Sequence, residues 1–110
     1  MRNRHVTLHT FASGSTDVTV TIPLPEGGGA GKFSVWSRRV SGSGTATLAI
    51  DGTFKATPAS DDRFVVQTAN TVGTGVLTSV TTNKDALFSQ LTIVLDRTGT
   101  CAVDVFIAAY

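Results

Sequence analysis

Polar and apolar residues alternate with a period of two along most of this chain, the pattern of strands with one face toward a core and one toward water. Val6, Leu8 and Thr10 alternate with His5, Thr7 and His9, so Val6 and Leu8 read as the apolar face of a first strand, which ends at the turn composition Ala12-Ser13-Gly14-Ser15. Val18, Val20 and Ile22 form a second, cleaner strand that stops at Pro23. The glycine-rich stretch from Leu24 to Gly31 follows, the longest without periodicity. Lys32 to Val40 is a third strand of ambiguous face, with Phe33 and Val35 on one side and Trp36 and Val40 on the other. Either a bulge near Ser37 or cover on both faces accounts for it.

The sharpest local signal comes next: Ala46, Leu48 and Ile50, then Asp51-Gly52, then Phe54 and Ala56. Asp-Gly between alternating runs predicts a two-residue hairpin turn, because both turn positions need positive φ. Phe64, Val66 and Thr68 mark a further strand, with Val65 on its other face, and Val76 to Thr82 another. Asn83 to Phe88 has room for one helical turn. Leu91, Ile93 and Leu95, the tight connection Asp96 to Thr100, and Cys101, Val103, Val105 and Ile107 read as a second hairpin. Eight or nine short strands without a useful helix predict an all-β fold: a single antiparallel β-sandwich of about eight strands, jelly-roll or immunoglobulin-like. It occupies 1–110 as one domain, with Met1 to His5 as a short basic arm.

Composition adds a second constraint. Lys+Arg 9 and Asp+Glu 8 make 15% of the 110 residues charged, against about 25% in a typical soluble domain. The formal net charge of +1 argues against nucleic-acid binding by bulk charge, and the low charge density against a coiled coil or a charged disordered tail. A fold of this mass exposes about 5,800 Å², or roughly one charge per 340 Å². Because interface cores are where charge is depleted, the scarcity predicts sides covered by copies of the chain or by a scaffold. Val105 to Tyr110 is the longest apolar run, far short of a spanning helix, and the basic start is followed by alternation rather than an apolar leader core. A soluble chain without an export signal is expected. Cys101 is the only cysteine and shares the register of Val103 and Val105, which predicts a buried, inert thiol.

Candidate chemistry changes the picture little. Gly27 to Lys32 fails the phosphate-loop pattern, with Glu26 where a glycine is needed and Phe33 where Ser or Thr is needed. Asp51, Asp61, Asp62 and Asp96 sit where turns need short acids, and calcium binding by them remains an alternative to that role. His5 and His9, four apart on a strand, are about 13 Å from each other and cannot chelate one metal directly. No catalytic, metal or cofactor residues are assigned, and no enzyme activity is expected. One concentration of interface-type residues stands out: Trp36, Arg38 and Val40 on one face with Arg39 on the other, joined by Arg2 and Arg4 of the basic arm as a candidate partner surface.

This small chain is rich in Thr, Val and Gly, carries a single cysteine, has turns at Asp51-Gly52 and Thr98-Gly99-Thr100, and lacks catalytic motifs. In these respects it resembles the decoration, cement and fibre-associated virion proteins of tailed bacteriophages. The resemblance implies a virion protein that binds the outside of an assembled capsid as a homo-oligomer, often a trimer, and locks coat subunits together. Its partners would be itself and a major capsid or other virion protein, with no nucleic acid, membrane or cofactor. An alternative expectation is a tail or fibre module that reads a glycan or receptor through loops such as Pro25 to Gly31 or Asn70 to Gly75. A tail-tube or connector subunit is a third.

Overall fold

The alternating segments assemble into two four-stranded antiparallel sheets facing each other across one core. The computed structural model describes residues 5–25 and 31–110, so the basic arm at 1–4, with Arg2 and Arg4, and the glycine stretch at 26–30 lie outside the described residues. In chain order the described strands are β1 (His5–Gly14), β2 (Val18–Pro23), β3 (Lys32–Gly42), β4 (Thr45–Thr53), β5 (Phe64–Thr71), β6 (Thr78–Asp85), β7 (Gln90–Thr98) and β8 (Cys101–Ala109). One sheet has the order β1-β8-β3-β6 and the other β2-β7-β4-β5. Every pair of consecutive strands except β4 and β5 therefore divides between the two sheets. That is the jelly roll of two interlocked Greek keys, and it excludes the immunoglobulin order, where sequence neighbours such as the first two strands share a sheet.

The core is supplied by the most regular alternations. Leu48 and Ile50 of β4, Leu91, Ile93 and Leu95 of β7, and Val103, Val105 and Ile107 of β8 are all fully buried. Cys101 joins them as a free, buried thiol. The ambiguous third strand is covered on both sides at Phe33, Ser34 and Val35. Its register shifts against β8 between Arg39 and Ser41 and against β6 between Val35 and Trp36, just before Ser37.

Strand β1 inverts its expected faces. Phe11 pairs with Val103 and His9 with Val105, so Phe11 and His9 turn inward, their rings 4.7 Å apart edge to face. Val6 and Leu8 consequently stand on the outside, 60% and 53% exposed. A shift of one residue moves a whole strand's side chains to the other face, and the large Phe11 ring fixes which face wins.

Neither predicted hairpin forms. Asp51 and Gly52 continue β4, opposite Val65 and Phe64 of β5, and the connection to β5 is the longer stretch 54–63 with a 3-10 turn at Ser60–Asp62. Gly52 serves close approach instead: a Cβ there would lie 2.7 Å from the Phe88 ring and 2.9 Å from that of Phe64. The segment from Asp96 to Thr100 carries the chain from β7 in one sheet into β8 in the other, so it is an arch. Asn83 to Asp85 extend β6, and the predicted helical turn is absent from 83–88.

The arch is held by backbone and by one arginine. Gly99 adopts φ +83 and stacks on Gly44, where an added Cβ would meet the Thr100 nitrogen at 2.8 Å. Gly44 N donates to Thr100 O at 2.9 Å. Arg97 spans the neighbouring turn: its Nε donates to Thr16 O, and its Nη1 to Ala12 O and Cys101 O, all at 2.8 Å. Its backbone N–H donates to Asp17 Oδ1 at 2.9 Å. The β1–β2 turn and the β7–β8 arch are thus fastened together.

Replacing Gly52 by alanine is expected to cost about 1–3 kcal/mol through overpacking against Phe88 and Phe64, measured by denaturant unfolding; a neutral effect would refute the close-approach role. The Cys101 thiol is expected to resist aromatic disulfide reagents in the folded protein and to react on unfolding, so rapid labelling under native conditions would contradict its burial.

Candidate functional site

Two apolar surfaces remain open, one on a sheet face and one at an end of the sandwich. The outer face of the β1-β8-β3-β6 sheet carries the first. Cross-strand pairing places Leu8, Phe106 and Trp36 in one row, with Val6, Ala108 and Ser34 in the next. A groove of about 500 Å³ runs over these rows, floored by Trp36, Phe106 and Ala108, with Val6 and Leu77 at its sides and Asn83 and Tyr110 at one end.

The polar end is built from a closed set of hydrogen bonds. Asn83 sits in the bulged part of β6 with φ +52, a left-handed conformation uncommon outside glycine. Its backbone N–H donates to Ser34 Oγ at 3.0 Å, the Ser34 and Tyr110 hydroxyls share a bond of 2.9 Å, and the Tyr110 hydroxyl donates to Asn83 Oδ1. Tyr110 is further anchored by reciprocal backbone bonds with Lys32.

The residues expected to form a partner surface are separated by this geometry. Trp36 and Arg38 do share the outer face, and Trp36 is half-buried in the groove rather than in the core. Arg38 is already engaged, 3.7 Å from Asp104 and with its guanidinium 5.6 Å from the centroid of Phe106. Val40 is exposed at the β3 bulge. Arg39 turns toward the loop end, where its Nη1 donates to Gly44 O at 2.5 Å and its backbone pairs with Gly73 and Gly75, a structural role. Arg2 and Arg4 lie outside the described residues.

The second surface grows out of the core. Phe33 packs edge-on against Phe88 at 5.6 Å, Phe88 against Phe64 at 5.1 Å, and Phe64 against Phe54 at 6.4 Å. This row of rings passes over Gly52 and ends in solvent, with Phe54 68% exposed, and Leu87, the residue before Phe88 in the chain, is 72% exposed. Its rim is charged and internally paired: Lys55 with Asp62 at 3.1 Å and Arg63 with Asp51 at 3.9 Å. An apolar centre inside a paired polar rim is the anatomy of a protein contact. Sequence reasoning missed this surface because Phe54 was assigned to the second strand of a hairpin that does not form, which separated it from Phe64 in the next strand. It missed the groove because Tyr110 and Asn83 meet only through the strand order.

Five of the seven aspartates hold structural partners, and Asp61 and Asp96 make no side-chain bond to the described residues. Asp104 accepts from Thr10 Oγ1 at 2.9 Å, Asp85 binds Lys32 at 2.5 Å, and Asp17 accepts from the Arg97 backbone. Among the described residues no three His, Cys, Asp or Glu side chains gather as a metal-binding group. The Asp62 carboxyl is held below its ordinary value of 3.8, chiefly by the Ala59 backbone N–H and then by Lys55. Because the folded value is the lower one, the stabilisation is complete above the ordinary aspartate range and is lost as pH falls through the folded value. A carboxyl titration by NMR is expected to place Asp62 below the other exposed aspartates and to leave it partly lowered in Lys55→Ala; an ordinary value in the intact protein would contradict the Ala59 bond.

Comparison with protein-family models, curated proteins and solved structures finds no match for this chain.

Proposed function

We propose that this protein is a non-enzymatic structural subunit of a virion, a decoration or cement protein that binds an assembled coat lattice as a homo-oligomer. The observation that carries the reading is the row of rings from Phe33 to Phe54, which presents Phe54, Phe64 and Leu87 to solvent on a base continuous with the core. Exposed apolar clusters with polar rims mark protein contact sites. The jelly roll itself is an architecture of viral capsid and lectin domains. The low charge fits a molecule much of whose surface is covered. Aspartates committed to structural pairs fit a cohesive role better than a chemical one.

Magnitudes explain why a lattice is the fitting partner. Fully burying a Phe or Leu side chain is worth about 1.5–3 kcal/mol, while association costs roughly 4–15 kcal/mol in lost freedom. A single tip therefore holds a partner weakly. A homo-oligomer, a trimer by the resemblance, engages several tips at once and gains avidity without any new contact. Each bound copy then stabilises the assembled state by mass action.

Light scattering of the purified protein is expected to give a homo-oligomer, and protein from its native source should sediment with large particles. The double variant Phe54→Ser/Leu87→Ser should fold normally by circular dichroism yet move to the supernatant. A wild-type monomer that stays free of particles would overturn the reading.

A further inference from the structure

We propose that the groove on the outer face of the β1-β8-β3-β6 sheet binds a neutral sugar ring, which stacks on Trp36 and accepts hydrogen bonds from Asn83. The site is distinct from the aromatic tip, and nothing in this inference depends on the tip's role.

Size comes first. About 500 Å³ lies within the usual range of roughly 300–1,000 Å³ for small-ligand sites and has room for a mono- or disaccharide. The lining comes second. The groove gathers the chain's single Trp and single Tyr beside Phe106, a concentration of ring surface that the rest of the exposed sheet lacks. A pyranose has one face of C–H groups, which packs on an aromatic ring, and a rim of hydroxyls, which needs polar partners; an apolar floor with one polar end matches that division.

Charge decides between ligand classes. Among the described residues no Lys, Arg, Asp or Glu lines the groove, and on the same sheet Arg38 is paired with Asp104 and Lys32 with Asp85. An anionic ligand would find no cation there, so phosphate esters and sialylated sugars are disfavoured. A second copy related by a two-fold axis would present the same concavity, and two hollows cannot fill each other. An extended apolar peptide could use the floor but has no need of a rigid polar end.

That polar end supplies the specific donor. The Asn83 backbone N–H is taken by Ser34, and its side-chain oxygen by the Tyr110 hydroxyl. With the oxygen so engaged, the side-chain nitrogen Nδ2 of this groove-lining residue keeps two hydrogens and has no protein acceptor among the described residues. Asn83 is fixed besides by its left-handed backbone in the β6 bulge. Strained conformations of this kind persist where surrounding structure enforces them, and they gather at ligand sites. A donor held in place before the ligand arrives loses little freedom on binding.

The lone Trp36 makes the test direct. Purified protein is titrated with neutral monosaccharides (glucose, galactose, mannose and N-acetylglucosamine) while Trp fluorescence is followed, and is then applied to an array of neutral and sialylated glycans. At least one neutral sugar is expected to give a saturable fluorescence change, with sialylated forms binding no better. Trp36→Ala should weaken binding by more than about tenfold, read on the array. Asn83→Gly keeps the left-handed backbone and removes only the amide, and should weaken binding roughly three- to tenfold. Phe54→Ser, at the other surface, should leave it unchanged. Absence of binding across all neutral glycans, binding indifferent to both groove variants, or preference for anionic glycans would each overturn the proposal. Loss of particle association by the Phe54→Ser/Leu87→Ser protein bears on the tip alone.

Discussion

Two residues of backbone, Gly99 and Thr100, carry the chain from the middle of one sheet to the middle of the other, and the rest of the architecture hangs on that step. The step requires a left-handed residue at Gly99 and a neighbour, Gly44, with no side chain to obstruct it. Once it is made, β7 and β8 are fixed as central strands. β2 and β4 flank one and β1 and β3 flank the other, so only β5 and β6 are placed at second hand. Arg97 closes the arrangement by binding carbonyls from both ends of the chain's first turn and from β8. Removing a charge from such a site would leave three carbonyls without their donor, which is costlier than losing an exposed ion pair.

How far this was legible in the sequence depends on the range of the interaction. The alternations at Leu48-Ile50, Leu91-Ile93-Leu95 and Val103-Val105-Ile107 are local and strong, and they deliver the core as expected. The turns are local too, yet they misled. Asp51-Gly52 has hairpin chemistry, but the glycine answers to the rings of Phe64 and Phe88. Asp96 to Thr100 has the composition of a tight turn, and composition does not distinguish a hairpin within a sheet from an arch between sheets. The faces of β1 were decided by its pairing with a strand about a hundred residues away, where Phe11 competes with Val6 and Leu8 for the interior.

The same distinction governs the two open surfaces. Every element of the groove is long-range: Val6, Trp36, Asn83 and Phe106 come from four strands, and Tyr110 reaches Asn83 only because β8 lies beside β3. Trp36 was singled out with Arg38 and Val40 by residue type and shared face; it lies on the outer face of its sheet, whereas Arg39 on the same strand serves the loop end. The tip is likewise an extension of the core, since Phe64 and Phe54 are reached through Phe88 from Phe33. Both surfaces rest on packed residues, the groove on a sheet and the row of rings on the core at Phe33 and Phe88, and a preorganised base is what permits a small contact area to be selective.

The central position of β8 has a consequence for how the chain acquires its structure during synthesis. Cys101–Ala109 is synthesised after the other seven strands, and β1 and β3 both need it as their hydrogen-bonding neighbour. A nascent chain therefore cannot complete the first sheet strand by strand. It carries an unpaired β1, with Val6 and Leu8 bared on one side and Phe11 on the other, until the final segment threads between β1 and β3. Pairing β1 with β8 joins segments far apart in sequence, the kind of contact whose loop-closure cost slows folding.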